Sequence, residues 1–157
     1  MKSRVSYLLV AGLFSFAILP SLNARPCNDR PRKLTIKSWE EETSAVDAKG
    51  VNHCGRDYVG LAPWMRDAVK KQRSKYPYEQ AARSVGGIGM VRVTLDLSTG
   101  TVSKVVMVRS TGVPVLDSSA MEAFRQWQWK PRTWKEIDVP IIFTRPGIVV
   151  TPDVLKN

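Results

Sequence analysis

Histidine is nearly missing from this sequence: His53 stands alone. That scarcity excludes histidine-rich metal centres, and with the single imidazole beside Cys54, which is read below as a disulfide cysteine, no Ser/His/Asp or Cys/His arrangement can be assembled. Cysteine is almost as rare, with only Cys27 and Cys54. A zinc site from Cys27, His53 and Cys54 would lack a fourth ligand and a suitable spacing. No apolar run reaches the ~20 residues that span a bilayer, and there is no long repeat or low-complexity spacer. Gly86-Gly87-Ile88-Gly89 is followed by a strand pattern and no Lys-Ser/Thr, so it is not a phosphate loop. No carboxylate pair stands out. Asp96, Asp117 and Asp138 fall at a strand end, a helix cap and within a strand, where structural roles suffice. These gaps point away from an enzyme and call for no metal and no cofactor.

What is present is a chain of 157 residues, 43% of them hydrophobic, enough for one modest domain with appendages. Charge is lopsided: 24 Lys and Arg against 14 Asp and Glu give a formal net charge of +10. Such a surface favours anionic partners, among them nucleic acid, acidic peptides, lipid headgroups and cell-wall polymers, or serves solubility alone.

The first 24 residues read as an export signal. Lys2 and Arg4 precede an apolar stretch from Tyr7 to Leu19, and Pro20 to Ala24 supply a helix breaker and a small residue. The expectation is a periplasmic protein with a cleaved signal; an uncleaved inner-membrane anchor facing the periplasm is the alternative. In an oxidising compartment Cys27 and Cys54 are read as a disulfide. Closing that loop would stabilise the fold by about 3–4 kcal/mol in the chain-entropy model. Residues 25–61 form an N-terminal extension, with a short strand expected at Leu34–Trp39 and loop from Glu40 to Gly60.

Pro63 opens an expected helix that Tyr76-Pro77 ends. Trp64, Met65, Ala68, Val69 and Gln72 share one side of it, while Arg66, Lys70, Lys71, Arg73 and Lys75 make a basic surface. That basic face is either a dock for an anionic surface or a solvated helix face. Glu79 to Ser84 suggest a second short helical turn. From Met90 the period becomes two, with Val91, Val93, Leu95 and Leu97 against Arg92, Thr94 and Asp96. Ser98-Thr99-Gly100 turns the chain into a second strand, Val102–Arg109, where Val105-Val106 signals either two covered faces or a bulge. Asp117 is expected to cap a helix with an apolar stripe of Leu116, Ala120, Ala123, Phe124 and Trp127. Ile137, Val139, Ile141 and Phe143 then alternate in a third strand. Pro140 within it removes a ladder donor and so predicts a sheet edge.

Tyr76-Pro77, Ala81, Gly89-x-Val91-x-Val93, Gly100-x-Val102, Ser110-Thr111-Gly112, Leu116-Asp117, Ala120, Trp127-x-Trp129-x-Pro131 and Val139-Pro140-x-x-Phe143 follow one another in register. Together they resemble the TonB C-terminal domain family over residues 62–145, with residues 146–157 as a tail. The resemblance implies an α+β fold: a three-stranded antiparallel sheet, with room for a fourth short strand, and two helices on one face. It implies a periplasmic interaction module that takes a short peptide, the TonB box of an outer-membrane transporter, along its last strand. Physically that is β-augmentation. Carried onto this chain, the partner-binding residues are Asp138, Val139, Pro140, Ile141, Ile142, Phe143 and Thr144, with Tyr76 and Pro77 nearby; the side chains of Val139, Ile141 and Phe143 are core, and Ile142 faces the partner.

The sequence departs from a complete TonB in having no long Pro-rich spacer. Residues 25–62 reach at most ~130 Å when fully extended, so force transmission from an inner-membrane motor is not expected. Other envelope proteins, a homodimer, and adhesion to peptidoglycan or lipopolysaccharide through the basic surface are further partners. Nucleic acid is disfavoured by export, although Trp127, Trp129 and Trp134 lie among Lys130, Arg132 and Lys135. The β-prone stretch Gly147–Thr151 is expected to pair with the third strand and mask its edge.

Overall fold

The computed structural model describes Cys27, residues 42–77, 85–144 and the backbone of 148–150. The signal, Leu34–Trp39 and Glu79–Ser84 readings lie outside those residues. Among the described residues no helix is long and apolar enough to cross a membrane.

Alternating apolar residues build two long antiparallel strands, β4 (Gly87–Leu95) and β7 (Trp134–Thr144), and a third, β5 (Val102–Arg109), joins β4 through a hairpin. Gly100 sits at φ 73° in that connection, where a Cβ would collide with the Trp129 carbonyl. Val91, Val93 and Leu95 of β4 and Ile137, Val139, Ile141 and Phe143 of β7 form one buried face. Helix α2 (Pro114–Phe124) covers it with Leu116, Ala120 and Phe124. Proline opens α2 at its first turn. Asp117 is not the N-cap; its carboxylate reaches back to the Thr111 amide (2.8 Å) and the Ser110 hydroxyl (2.6 Å), fastening the strand-to-helix corner. Burial pushes the Asp117 carboxyl up, but the hydrogen bonds from Ser110 and Thr111 outweigh it and hold the group below the usual carboxylate range.

The α+β class stands, but the sheet is wider than three strands. β1 (Ser44–Asp47) and β2 (Asn52–Cys54), from the stretch read as loop, extend it to the order β2-β1-β7-β4-β5, and β8 (Ile148–Val150) also pairs with β7. The Asp47 carboxylate accepts the Lys49 and Val51 amides, each at 2.9 Å, and so shapes the β1–β2 turn. Cys54 is joined to Cys27, as expected for two cysteines of an exported chain.

The helix expected from Pro63 ends after a single turn, α1 (Pro63–Arg66). Ala68–Lys70 become β3 and pair with β6 (Gln128–Trp129) instead. Tertiary pairing overrides helix propensity here. Asp67 is drawn across to Lys130 Nζ (2.7 Å) and the Trp134 indole N–H (3.0 Å), and Trp129 Nε1 donates to the Trp64 carbonyl at 2.7 Å.

Candidate docking rim

Each residue of an antiparallel strand directs its N–H and C=O to the same neighbour, alternating side by side along the chain. The Asp138 carbonyl accepts the Thr43 hydroxyl at 2.7 Å, which fixes the β1 side of β7. Pairing between β7 and β4 runs from Gly87↔Phe143 to Thr94↔Glu136 without a register shift. Alternation therefore turns Glu136, Asp138, Pro140, Ile142 and Thr144 toward the rim away from β4.

That rim is paired on both sides of Pro140, which corrects the expectation of an open edge. β1 takes the first part, with Val46↔Glu136 and Ser44↔Asp138. β8 takes the last, with Ile142↔Val150 and Thr144↔Ile148. Pro140 lies at the seam between them, where its missing N–H leaves no donor to satisfy. The proline was informative, but it marks a junction of two covering strands rather than a bare edge. Ile148–Val150 do mask the third strand, in the way their β-prone sequence suggested.

The candidate side chains are more enclosed than expected. Asp138 through Phe143 are all buried, and Thr144 is half-buried. Ile142, expected to face a partner, is only 2% exposed; it is packed away, so what it turns to the rim is its backbone. Asp138 is committed to Arg92, whose Nε and Nη2 donate to its two carboxylate oxygens at 2.7 and 2.9 Å. The Asp138 hydrogen bond and charge raise the Arg92 pKa further, against a burial penalty, with Glu136 adding at 3.4 Å. This fork fixes the first half of the strand and is not a free ligand group. Tyr76 packs at the end of β7 nearest the start of β4: its ring is 6.1 Å from Phe143, and its hydroxyl donates to the Val85 carbonyl. Pro77 follows it, half-buried.

The basic residues do not share a helix face. Arg66 ends α1, Lys70 ends β3, and Lys71, Arg73 and Lys75 lie on the irregular segment that follows, all exposed. That segment runs along α2, where the Trp127 indole donates to the Gln72 carbonyl at 2.7 Å and Ser119 donates to the Lys75 carbonyl. A polar cleft of about 140 Å³ opens there, lined by Arg73, Lys75, Ser119, Glu122 and Gln126 among others. Trp127, Trp129 and Trp134 are buried and so offer no stacking platform. No group of three His, Cys, Asp or Glu able to hold a metal occurs among the described residues.

Sequence reasoning missed the residues that pin β1. The Trp64 indole donates to Thr43 Oγ1 at 2.8 Å while Thr43 donates to Asp138, so a fully buried tryptophan is relayed to the rim through one hydroxyl. His53 bridges Tyr58 Oη (3.1 Å) and Asp47 Oδ2 (3.2 Å) and meets Trp134 edge-on at 5.6 Å. An Asp47-x-x-Gly50 turn flanked by Val46 and Val51 was the available signal for this hairpin.

The family model described as the Gram-negative bacterial TonB protein C-terminal matches residues 72–146. No curated protein matches the chain. The match takes in β4, β5, α2, β6 and β7 and leaves the hairpin that seals the first half of the rim outside it. Over residues 72–146 this chain is a TonB C-terminal domain.

Proposed function

We propose that the chain is a periplasmic TonB-like interaction module, associated with transport across the outer membrane, that acts by binding and not by catalysis. Its partner is an extended segment of an envelope protein of the outer-membrane transporter type, added as a strand along Val139–Thr144. The observation that carries this reading is the way the outer half of the β7 rim is closed. Among the described residues, the three register pairs of β8 cover it. A partner strand exchanges with β8 and keeps the backbone pairing that Ile142 and Thr144 already make. Tyr76 against Phe143 keeps this end of the strand packed while the exchange occurs.

The test is truncation after Arg145, followed by capture from an outer-membrane fraction. The truncated chain should retain an outer-membrane transporter at higher yield than the full chain. Equal yields, or no transporter in either, would contradict the reading.

A second reading rests on the exposed basic run from Arg66 to Lys75. It makes the chain an adhesin for anionic cell wall or lipopolysaccharide. The double change Lys70→Glu and Arg73→Glu should then abolish co-sedimentation with cell wall and leave transporter capture intact.

A further inference from the structure

We infer that the N-terminal hairpin β1–β2 is a fixed register stop, which confines any strand docking on β7 to the rim beyond Pro140. The inference rests on the docking reading above and adds the limit of the site and the kind of segment it admits.

The two covers of the rim are built differently. β1 is anchored from several directions. Its Ala45 is 2% exposed and belongs to the core, and the Thr43 hydroxyl links Trp64 to the Asp138 carbonyl. Its far side is occupied by β2, with Gly55 N–H on the Thr43 carbonyl (2.7 Å) and Asp47 N–H on the Val51 carbonyl (2.9 Å). Beyond β1, the Ala48 amide reaches the Thr133 carbonyl at 2.9 Å. The Cys27–Cys54 bridge then encloses β1 in a covalent loop. Displacing β1 would uncover core and break this set together, whereas the described backbone of β8 meets the sheet over three register pairs, Ile142↔Val150 to Thr144↔Ile148.

An entering strand can therefore exchange for β8 but not for β1. It pairs with Ile142 and Thr144 and must turn away where Ser44 meets Asp138. The admitted segment is a short extended stretch ending in a turn, not a long strand spanning the whole of β7. Pro140 supports the same limit, since no donor is offered at the seam.

Amide hydrogen exchange on the full chain tests the stop without any partner. Glu136 and Asp138 should exchange as slowly as Ile137, Val139 and Ile141, which face β4. Ile142 and Thr144 should exchange roughly 100-fold faster, by local opening of β8. If Glu136 and Asp138 match Ile142 and Thr144 instead, β1 is as labile as the tail and the stop is overturned. A second arm uses full-length Val150→Pro, which loosens β8 by removing one backbone donor, with a synthetic peptide copying residues 147–151 as probe. Amide shifts confined to residues 139–144 support the stop, and shifts extending to Glu136 and Asp138 overturn it. Should the peptide shift neither group, the docking reading fails, and the exchange measurement alone decides the stop.

Discussion

The two long strands that flank β4 present opposite kinds of rim. β5 has no strand on its outer side among the described residues, yet it is a poor template. Its register with β4 shifts twice, between Met90 and Val91 and between Thr94 and Leu95, and Lys104 stands exposed near its middle. Bulges and a lysine are devices that discourage edge-to-edge pairing. β7 is the reverse: its register with β4 is unbroken, and among the described residues its rim is paired by β1 up to Asp138 and by β8 from Ile142, with Pro140 at the seam. A regular rim is a good template for foreign backbone, so it must be covered until it is used. An irregular rim can stay bare.

The largest effect on this contrast should come from Trp64. Trp64→Ala empties a fully buried site and removes the indole that holds Thr43 against Asp138. It should cost about 3–5 kcal/mol in denaturant unfolding and speed exchange at Glu136 and Asp138. Next is the disulfide: the pair Cys27→Ser and Cys54→Ser should lower stability by about 2–4 kcal/mol, read from the unfolding midpoint. Arg92→Met leaves the buried Asp138 carboxylate without its fork and should cost about 2–3 kcal/mol, read from urea unfolding at neutral pH.

Much of this was legible in the sequence where one face of an element decides its pattern. Val91, Val93 and Leu95 and the stripe Leu116, Ala120 and Phe124 announced their strand and helix because each packs on a single layer. Val105-Val106 misled: both pair in regular register with Val93 and Arg92, and the shifts in β5 fall between Met107 and Arg109 and between Val102 and Lys104. Neighbour relations were less legible. Nothing local to Ile137–Phe143 says that a segment about ninety residues upstream lies beside it, so Pro140 by itself points to a bare edge. The helix beyond Arg66 failed for a similar reason: Ala68–Lys70 answer to Trp129, not to their own propensity. Buried Ile142 shows that the second face of β7 is also covered, which alternation alone could not reveal.

Smaller changes sharpen the comparison. The Asp117 carboxyl is held below its unfolded value, so its hydrogen bonds stabilise the fold above about pH 4 and are lost as pH falls through its folded value. Asp117→Asn should flatten that acid loss in urea unfolding measured between pH 5 and 2.5. Lys104→Val should change stability by less than about 0.5 kcal/mol. It would remove a guard from the β5 rim, and light scattering should show increased association.

The central claim is that partners meet the outer half of the β7 rim and not the open rim of β5. Its most direct test is a photo-crosslinking side chain placed at Thr144 in one chain and at Val106 in another, each irradiated in the cell envelope. A crosslink to an outer-membrane transporter from position 144, with none from position 106, is the expected result. Crosslinking from position 106 and silence at 144 would contradict the account.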